Sequence, residues 1–296
     1  MTRRRVLGRL SVLAAGTVAA VAGCGGPGGA VPPPAPGVPP LRRLRYGTQA
    51  DQFGELHLPA GADPVGVAVV LHGGYWRQTY GAELGRPLAS DLANQGLAAW
   101  NLEYCRVGGA GGWPATFEDV AAGLDALTGP VQQAAAGRLE LDRVVTVGHS
   151  AGGHLAVWAA ARHRLPSGAP GADPVVRPIG AVSQAGLLDL VAAARQGLGG
   201  DAVPDLLGGP PDAMPDRYAA ASPVALLPLG VPVVCVHGTA DDIVPLRQSE
   251  RYVNAAGRAA ELVAIPGAGH FELIDPADPA WASCRDAALR LLAVSG

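Results

Sequence analysis

The chain has 296 residues, 49% of them hydrophobic, and a formal net charge of -3. That length and apolar content suit the core of one large α/β domain, and the charge gives no electrostatic reason to expect nucleic acid as a partner. All 22 basic residues are arginine, which with 42 Gly and 27 Pro is the imprint of a GC-rich genome rather than a functional signal.

MTRRRVLGRL is a basic start, and residues 10–21 form an apolar stretch well short of the ~20 residues that span a bilayer. A signal peptide is expected over residues 1–23. Arg3-Arg4 followed by Val6-Leu7 resembles a twin-arginine export signal, and VAGC, ending at Cys24, resembles the lipobox of bacterial lipoproteins. The chain is therefore expected to be exported and held at the membrane only by lipid on Cys24. Residues 24–40, GGPGGAVPPPAPGVPP after the cysteine, are too rich in Pro and Gly to pack and read as a semi-extended linker. With Cys24 lipidated, Cys105, Cys235 and Cys284 are an odd remainder, so no disulfide framework is expected.

The catalytic domain is expected over residues 41–296. Short strands are predicted at 44–47 and 54–58. VGVAVVLHGG is a continuous apolar run ending in glycines, the pattern of a central strand buried on both faces. A helix over 82–95 leads to the strand GLAAWNLEY, and a helix over 115–127 leads to LDRVVTVGHS, a strand and turn. A helix over 151–162 and the strand IGAVSQA follow. Residues 186–222 show no strand pattern and many glycines and prolines, as a small cap inserted between strands would. VPVVCVHG, a helix over 246–256, the strand ELVAIP and a helix over 280–293 complete the alternation. The prediction is an α/β fold with a doubly wound, mostly parallel sheet.

Ligands of such sheets bind at the carboxyl ends of the strands. GHSAG there fits G-x-S-x-G, and no other serine in the chain does. On a sharp strand-to-helix turn Ser150 would stand clear of the sheet, with Gly148 and Gly152 leaving room for neighbouring backbone. A serine hydroxyl needs an imidazole to take its proton. Of seven histidines, His270 is best placed, in a Gly-rich loop past the last strand. His57 reads as structural, His154 as packing or hydrogen-bonding under the site, and His72 and His237 as loop braces. His149 is expected to point elsewhere, and His163 to lie on the surface. The imidazole in turn needs a carboxylate. One of Asp241 and Asp242 can reach His270, while an aspartate of this pair can instead close an Asx-type turn into the helix near Pro245. HGGYW places the N–H groups of Gly74 and Tyr75 opposite that of Ala151, a candidate oxyanion hole. Trp76, and Trp113 after a glycine-rich loop, are candidate substrate contacts. No H-E-x-x-H, P-loop or dinucleotide fingerprint sits in a believable context, so neither metal nor cofactor is expected.

The elbow GHSAGG, the HGGYW loop, HGTADDIVP and the GHFELID loop together resemble the α/β-hydrolase fold. Within it they resemble the carboxylesterase and kynurenine-formamidase-like branch, in which HGG-x-W precedes the oxyanion hole. The likeness covers about residues 42–295. It implies that the acid is the aspartate four residues after the histidine of H-G-x-x-D, which is Asp241, and that the position of Asp242 varies. It further implies a serine hydrolase that cleaves small esters through an acyl-enzyme. An amidase or arylformamidase, or a short-peptide hydrolase, is the alternative enzyme. A catalytically idle hydrolase fold serving as a surface binding lipoprotein is the alternative of another class.

Overall fold

The computed structural model describes residues 42–61 and 63–293; the expected signal peptide, the linker and the lipidation site at Cys24 lie outside them. The described chain begins with β1 (Arg42–Arg45), β2 (Phe53–His57), β3 (Val67–Leu71), α1 (Arg86–Asn94), β4 (Ala98–Leu102), α2 (Ala115–Asp125) and α3 (Pro130–Ala134). Then come β5 (Val144–His149), α4 (Ala151–Ala161) and β6 (Gly180–Gln184). The segment expected as a cap carries three short helices, α5 (Leu190–Arg195), α6 (Ala202–Leu207) and α7 (Pro215–Ala221). β7 (Val233–Gly238), α8 (Arg247–Ala256), β8 (Ala260–Ile265) and α9 (Pro279–Ala293) follow. The strands form one eight-stranded sheet in the order β1-β2-β4-β3-β5-β6-β7-β8. β1 pairs antiparallel with β2 and β2 with β4; every later pairing is parallel.

The continuous apolar runs follow from burial on both faces. In β3, Val67, Val69 and Leu71 face one layer while Ala68 and Val70 face the other. The first layer takes Phe117, Val120 and Leu124 of α2 and Leu155 and Trp158 of α4. The second takes Leu88 and Leu92 of α1 with Trp281, Cys284 and Leu292 of α9. Every residue of α4 is buried, and its small Ala and Gly side chains let the helix lie close against β3, β5 and β6. A helix apolar all round belongs in a core rather than on a surface. Its amino terminus is thereby fixed at the centre of the sheet's carboxyl edge.

Cys105, Cys235 and Cys284 are free and buried. Burial, the largest influence on each, pushes all three thiols up to about 12, so they stay protonated and unreactive.

Candidate active site

β5 runs into α4 with Ser150 as the single residue between them. Ser150 has φ 56° and ψ -118°, a backbone conformation costing about 1–3 kcal/mol for a residue with a Cβ. The surroundings force it. The Ser150 N–H donates to the Gln184 carbonyl at the end of β6 (2.8 Å), and its own carbonyl accepts the His154 N–H (3.1 Å). The turn is tight enough that a Cβ on Gly148 would lie 2.1 Å from the Gly152 carbonyl oxygen, and one on Gly152 2.1 Å from that of Leu71. Only glycine fits at either position.

His270 follows β8 and lines the same cleft as Ser150. Its Nδ1 lies 2.6 Å from Oδ2 of Asp241, whose side chain is fully buried. The other carboxylate oxygen accepts the N–H groups of Ile243 (2.9 Å) and Val244 (2.8 Å). Burial pushes this carboxyl up, but hydrogen bonds from His237, His270 and the Val244 N–H prevail and hold it below the usual carboxylate range. Asp241 is therefore an anion that can only accept, which places the His270 proton on Nδ1 and leaves Nε2 free to take one. Asp242 is exposed. His237 sits beneath, with Nε2 2.9 Å from the Val244 carbonyl and 3.4 Å from Asp241, and Nδ1 2.8 Å from the Ser249 hydroxyl.

The HGGYW loop leaves β3 strained: Tyr75 has φ 50° and Trp76 φ 55°. Four contacts hold it. The Arg77 N–H donates to the Gly74 carbonyl and the Val107 N–H to that of Trp76. The Tyr75 hydroxyl donates to the Ile243 carbonyl (3.2 Å), and the Trp76 indole N–H to Nδ1 of His154 (3.2 Å). Among the described residues, the N–H groups of Gly74, Tyr75 and Ala151 donate to no protein acceptor. That of Ala151 also opens α4, where the helix dipole favours negative charge.

Neither tryptophan lines the cleft, which corrects the expectation for both. Consecutive residues at positive φ send their side chains apart: Tyr75 faces the cleft, and Trp76 is wholly buried against His154. Trp113 packs on Phe117, and its N–H donates to the Leu206 carbonyl (2.7 Å), which ties its loop to α6. The walls are instead Tyr75, Tyr80, Leu84, Ile243, Phe271 and Ile274, around a cavity of about 190 Å³. No residue of 186–222 is among them. A larger cavity, about 410 Å³, lies at the amino ends of β6, β7 and β8, and no serine, threonine, cysteine or histidine lines it. His149 was expected to face away from the reaction, yet it lines the cleft and packs against His270. Among the described residues no cluster of three or more His, Cys, Asp and Glu could hold a metal ion.

Glu103, just past β4, was not singled out in the sequence and anchors the loop that follows β3. Its carboxylate accepts from Nε2 of His72 (2.9 Å) and from the N–H groups of Ala82 (2.8 Å) and Tyr104 (2.9 Å), and pairs with buried Arg106. Tyr104 stacks on the His72 ring at 4.4 Å. Burial opposes the charge, but His72, Arg106 and the Ala82 N–H hold the Glu103 carboxyl down at about 2. A carboxyl lowered on folding stabilises above its unfolded pKa, and that stability fades as pH falls toward 2. Glu103→Ala should cost about 1–3 kcal/mol at neutral pH, because it strands the buried N–H groups of Ala82 and Tyr104 and leaves the buried Arg106 guanidinium with Asp51 alone. Urea unfolding checks this, and a loss under about 1 kcal/mol would show that the network does not hold the loop.

The chain matches the BD-FAE family over residues 55–255. Its structure resembles a bifunctional GH43-CE protein of Bacteroides eggerthii, with TM-score 0.71 and 20% identity over 84% of this chain, which spans 37% of that one. It also resembles an esterase of the planctomycete Thermogutta terrifontis in two states. The butyrate-bound form gives TM-score 0.68 at 23% identity, covering 88% of this chain and 95% of that one. The form phosphoramylated by tabun gives TM-score 0.68 at 25% identity, covering 89% and 97%. No curated protein matches the chain significantly.

Proposed function

The chain belongs to the BD-FAE family and has the α/β-hydrolase fold, and on that premise we propose that it is a serine carboxylesterase acting on small esters. One observation carries this: Ser150 and His270 line one cleft, and a buried aspartate holds the far nitrogen of that histidine at 2.6 Å. In the proposed reaction Ser150 Oγ bonds to the ester carbonyl carbon as its proton passes to Nε2 of His270. The oxyanion meets the N–H groups of Gly74, Tyr75 and Ala151. The C–O bond then breaks, the alcohol leaves with the proton from His270, and water repeats the sequence to release the acid. The tabun adduct of the Thermogutta terrifontis esterase supports the same chemistry here.

A cavity of about 190 Å³ walled by Tyr75, Tyr80 and Phe271 favours short acyl chains, because clashes outweigh the ~0.8 kcal/mol that each buried methylene gains. The butyrate bound by the Thermogutta terrifontis esterase points the same way. Acetyl and butyryl aryl esters should be cleaved faster than palmitoyl esters, and an aryl formamide more slowly than the short esters. Specificity constants across an acyl series with one leaving group test this. A profile rising to long chains would require a lipase-like groove, and a formamide ahead of every ester would favour the arylformamidase alternative.

The lipoprotein-type start supports an exported enzyme tethered through Cys24. Full-length protein from a bacterial host should partition into detergent, and Cys24→Ala should not mature. An aqueous, unlipidated wild type would remove this part of the proposal.

A further inference from the structure

Three loops of the site meet on one imidazole that the mechanism does not use. His149 ends β5, is buried, and is joined by its own backbone to Ser150. Its Nε2 lies 2.9 Å from the main-chain carbonyl of His270. Its ring sits 4.4 Å, centroid to centroid, from the His270 ring at a tilt of 51°. On the opposite edge, a Cβ placed on Gly73 would come within 2.9 Å of Nδ1, so the start of the oxyanion loop passes against the same ring. The imidazole thus touches the elbow, the histidine loop and the oxyanion loop at once.

The hydrogen-bond partner settles its form. A carbonyl only accepts, so His149 carries its proton on Nε2 and donates. Burial, then the neighbouring His270, push its pKa down to about 3, which keeps the ring neutral while His270 gains a proton in the reaction. A charged ring at that distance would oppose the imidazolium instead.

His270 needs a second hold. It lies in the loop between β8 and the short turn Glu272–Ile274, without strand pairing of its own. The bond to Asp241 fixes one ring nitrogen and still leaves the ring free to pivot about that point. Fixing the residue's own backbone as well removes the freedom.

We propose that His149 is a positioning residue that ties the base to the strand carrying the nucleophile. Its N–H on the His270 carbonyl and its ring against the His270 imidazole set where Nε2 of His270 stands relative to Ser150 Oγ. This rests on the serine-esterase reading above.

The test compares the full-length wild type with His149→Phe, His149→Asn and His149→Gln. Phe keeps a flat ring without a donor. Gln carries an N–H close to where Nε2 stood, and Asn carries the same amide too short to reach the carbonyl. Misplacing a base by a fraction of an ångström should lower kcat ~10–100-fold in Phe and Asn while KM stays within about 2-fold. Gln should recover most of the loss, and melting temperatures should not follow that order. The low-field proton resonance of His270 Nδ1–H should be sharp in wild type and Gln, and broadened in Phe and Asn. Wild-type kcat in Phe and Asn overturns the proposal, as does a loss that Gln leaves unrepaired or one that tracks melting temperature. If Phe does not fold, the Gln and Asn pair decides by the same criteria. A wild type without Ser150-dependent turnover overturns the esterase reading and this proposal with it. Ser150-dependent turnover that is equal in all three variants overturns the role of His149 alone.

Discussion

Ser150→Ala is expected to abolish turnover of short aryl esters, by a factor on the order of 10⁶, with little change in melting temperature. The size follows from the role. Without Oγ no acyl-enzyme can form, and only the oxyanion donors and substrate binding remain to help water attack. The small effect on stability follows from the surroundings. The turn is imposed by the Ser150 N–H on Gln184, by the His154 N–H on the Ser150 carbonyl and by the absence of side chains at Gly148 and Gly152. None of these involves the hydroxyl, and alanine meets the same backbone strain as serine. A fluorophosphonate probe should label the wild type and leave the variant untouched. Full-strength labelling of Ser150→Ala would mean that another residue is the nucleophile.

The architecture was legible because both layers of helices write themselves into the strands. β3 is apolar at every position, and β5 and β7 are mostly apolar and buried at every position, since alternate residues enter opposite cores. What the sequence left unseen is short or long-range. α3, α5, α6 and α7 span one to two turns each, too few for a helical period to emerge among glycines and prolines. The serine elbow could be read because its signal is local. The cleft walls could not: Tyr80, Leu84, Ile243, Phe271 and Ile274 come from separate loops, and no spacing links them. The aromatic pair Tyr75-Trp76 misled because the backbone hand at Trp76 turns its side chain into the core. Glu103 ends a strand pattern like any partly polar residue, and only the fold brings His72 and Ala82 to it. His149 shows the limit of arguing from adjacency. A residue next to Ser150 in the chain turns away from it, yet reaches His270 on another loop.

The acid could be narrowed to two neighbours by chemistry, and to Asp241 only through the family resemblance; the geometry explains why the choice matters. The sequence offered two separate tasks, a partner for His270 and an Asx-type turn, and Asp241 performs both. One oxygen faces His270 Nδ1 at 2.6 Å, while the other caps the N–H groups of Ile243 and Val244. Asp241→Asn can keep the turn, with its carbonyl oxygen on those two N–H groups. Its amide must then point N–H at Nδ1 of His270, which has to accept and so moves its proton to Nε2. A histidine in that tautomer cannot take the Ser150 proton, and turnover should fall by up to ~10⁴ while the fold survives. Asp242 is exposed, so Asp242→Asn removes only a surface charge and should leave kcat within about 2-fold, the size of a screened effect. Steady-state kinetics on the two variants, each checked for melting temperature, separate the cases. If Asp242→Asn proved the more damaging, His270 would have to swing to a different carboxylate during the reaction.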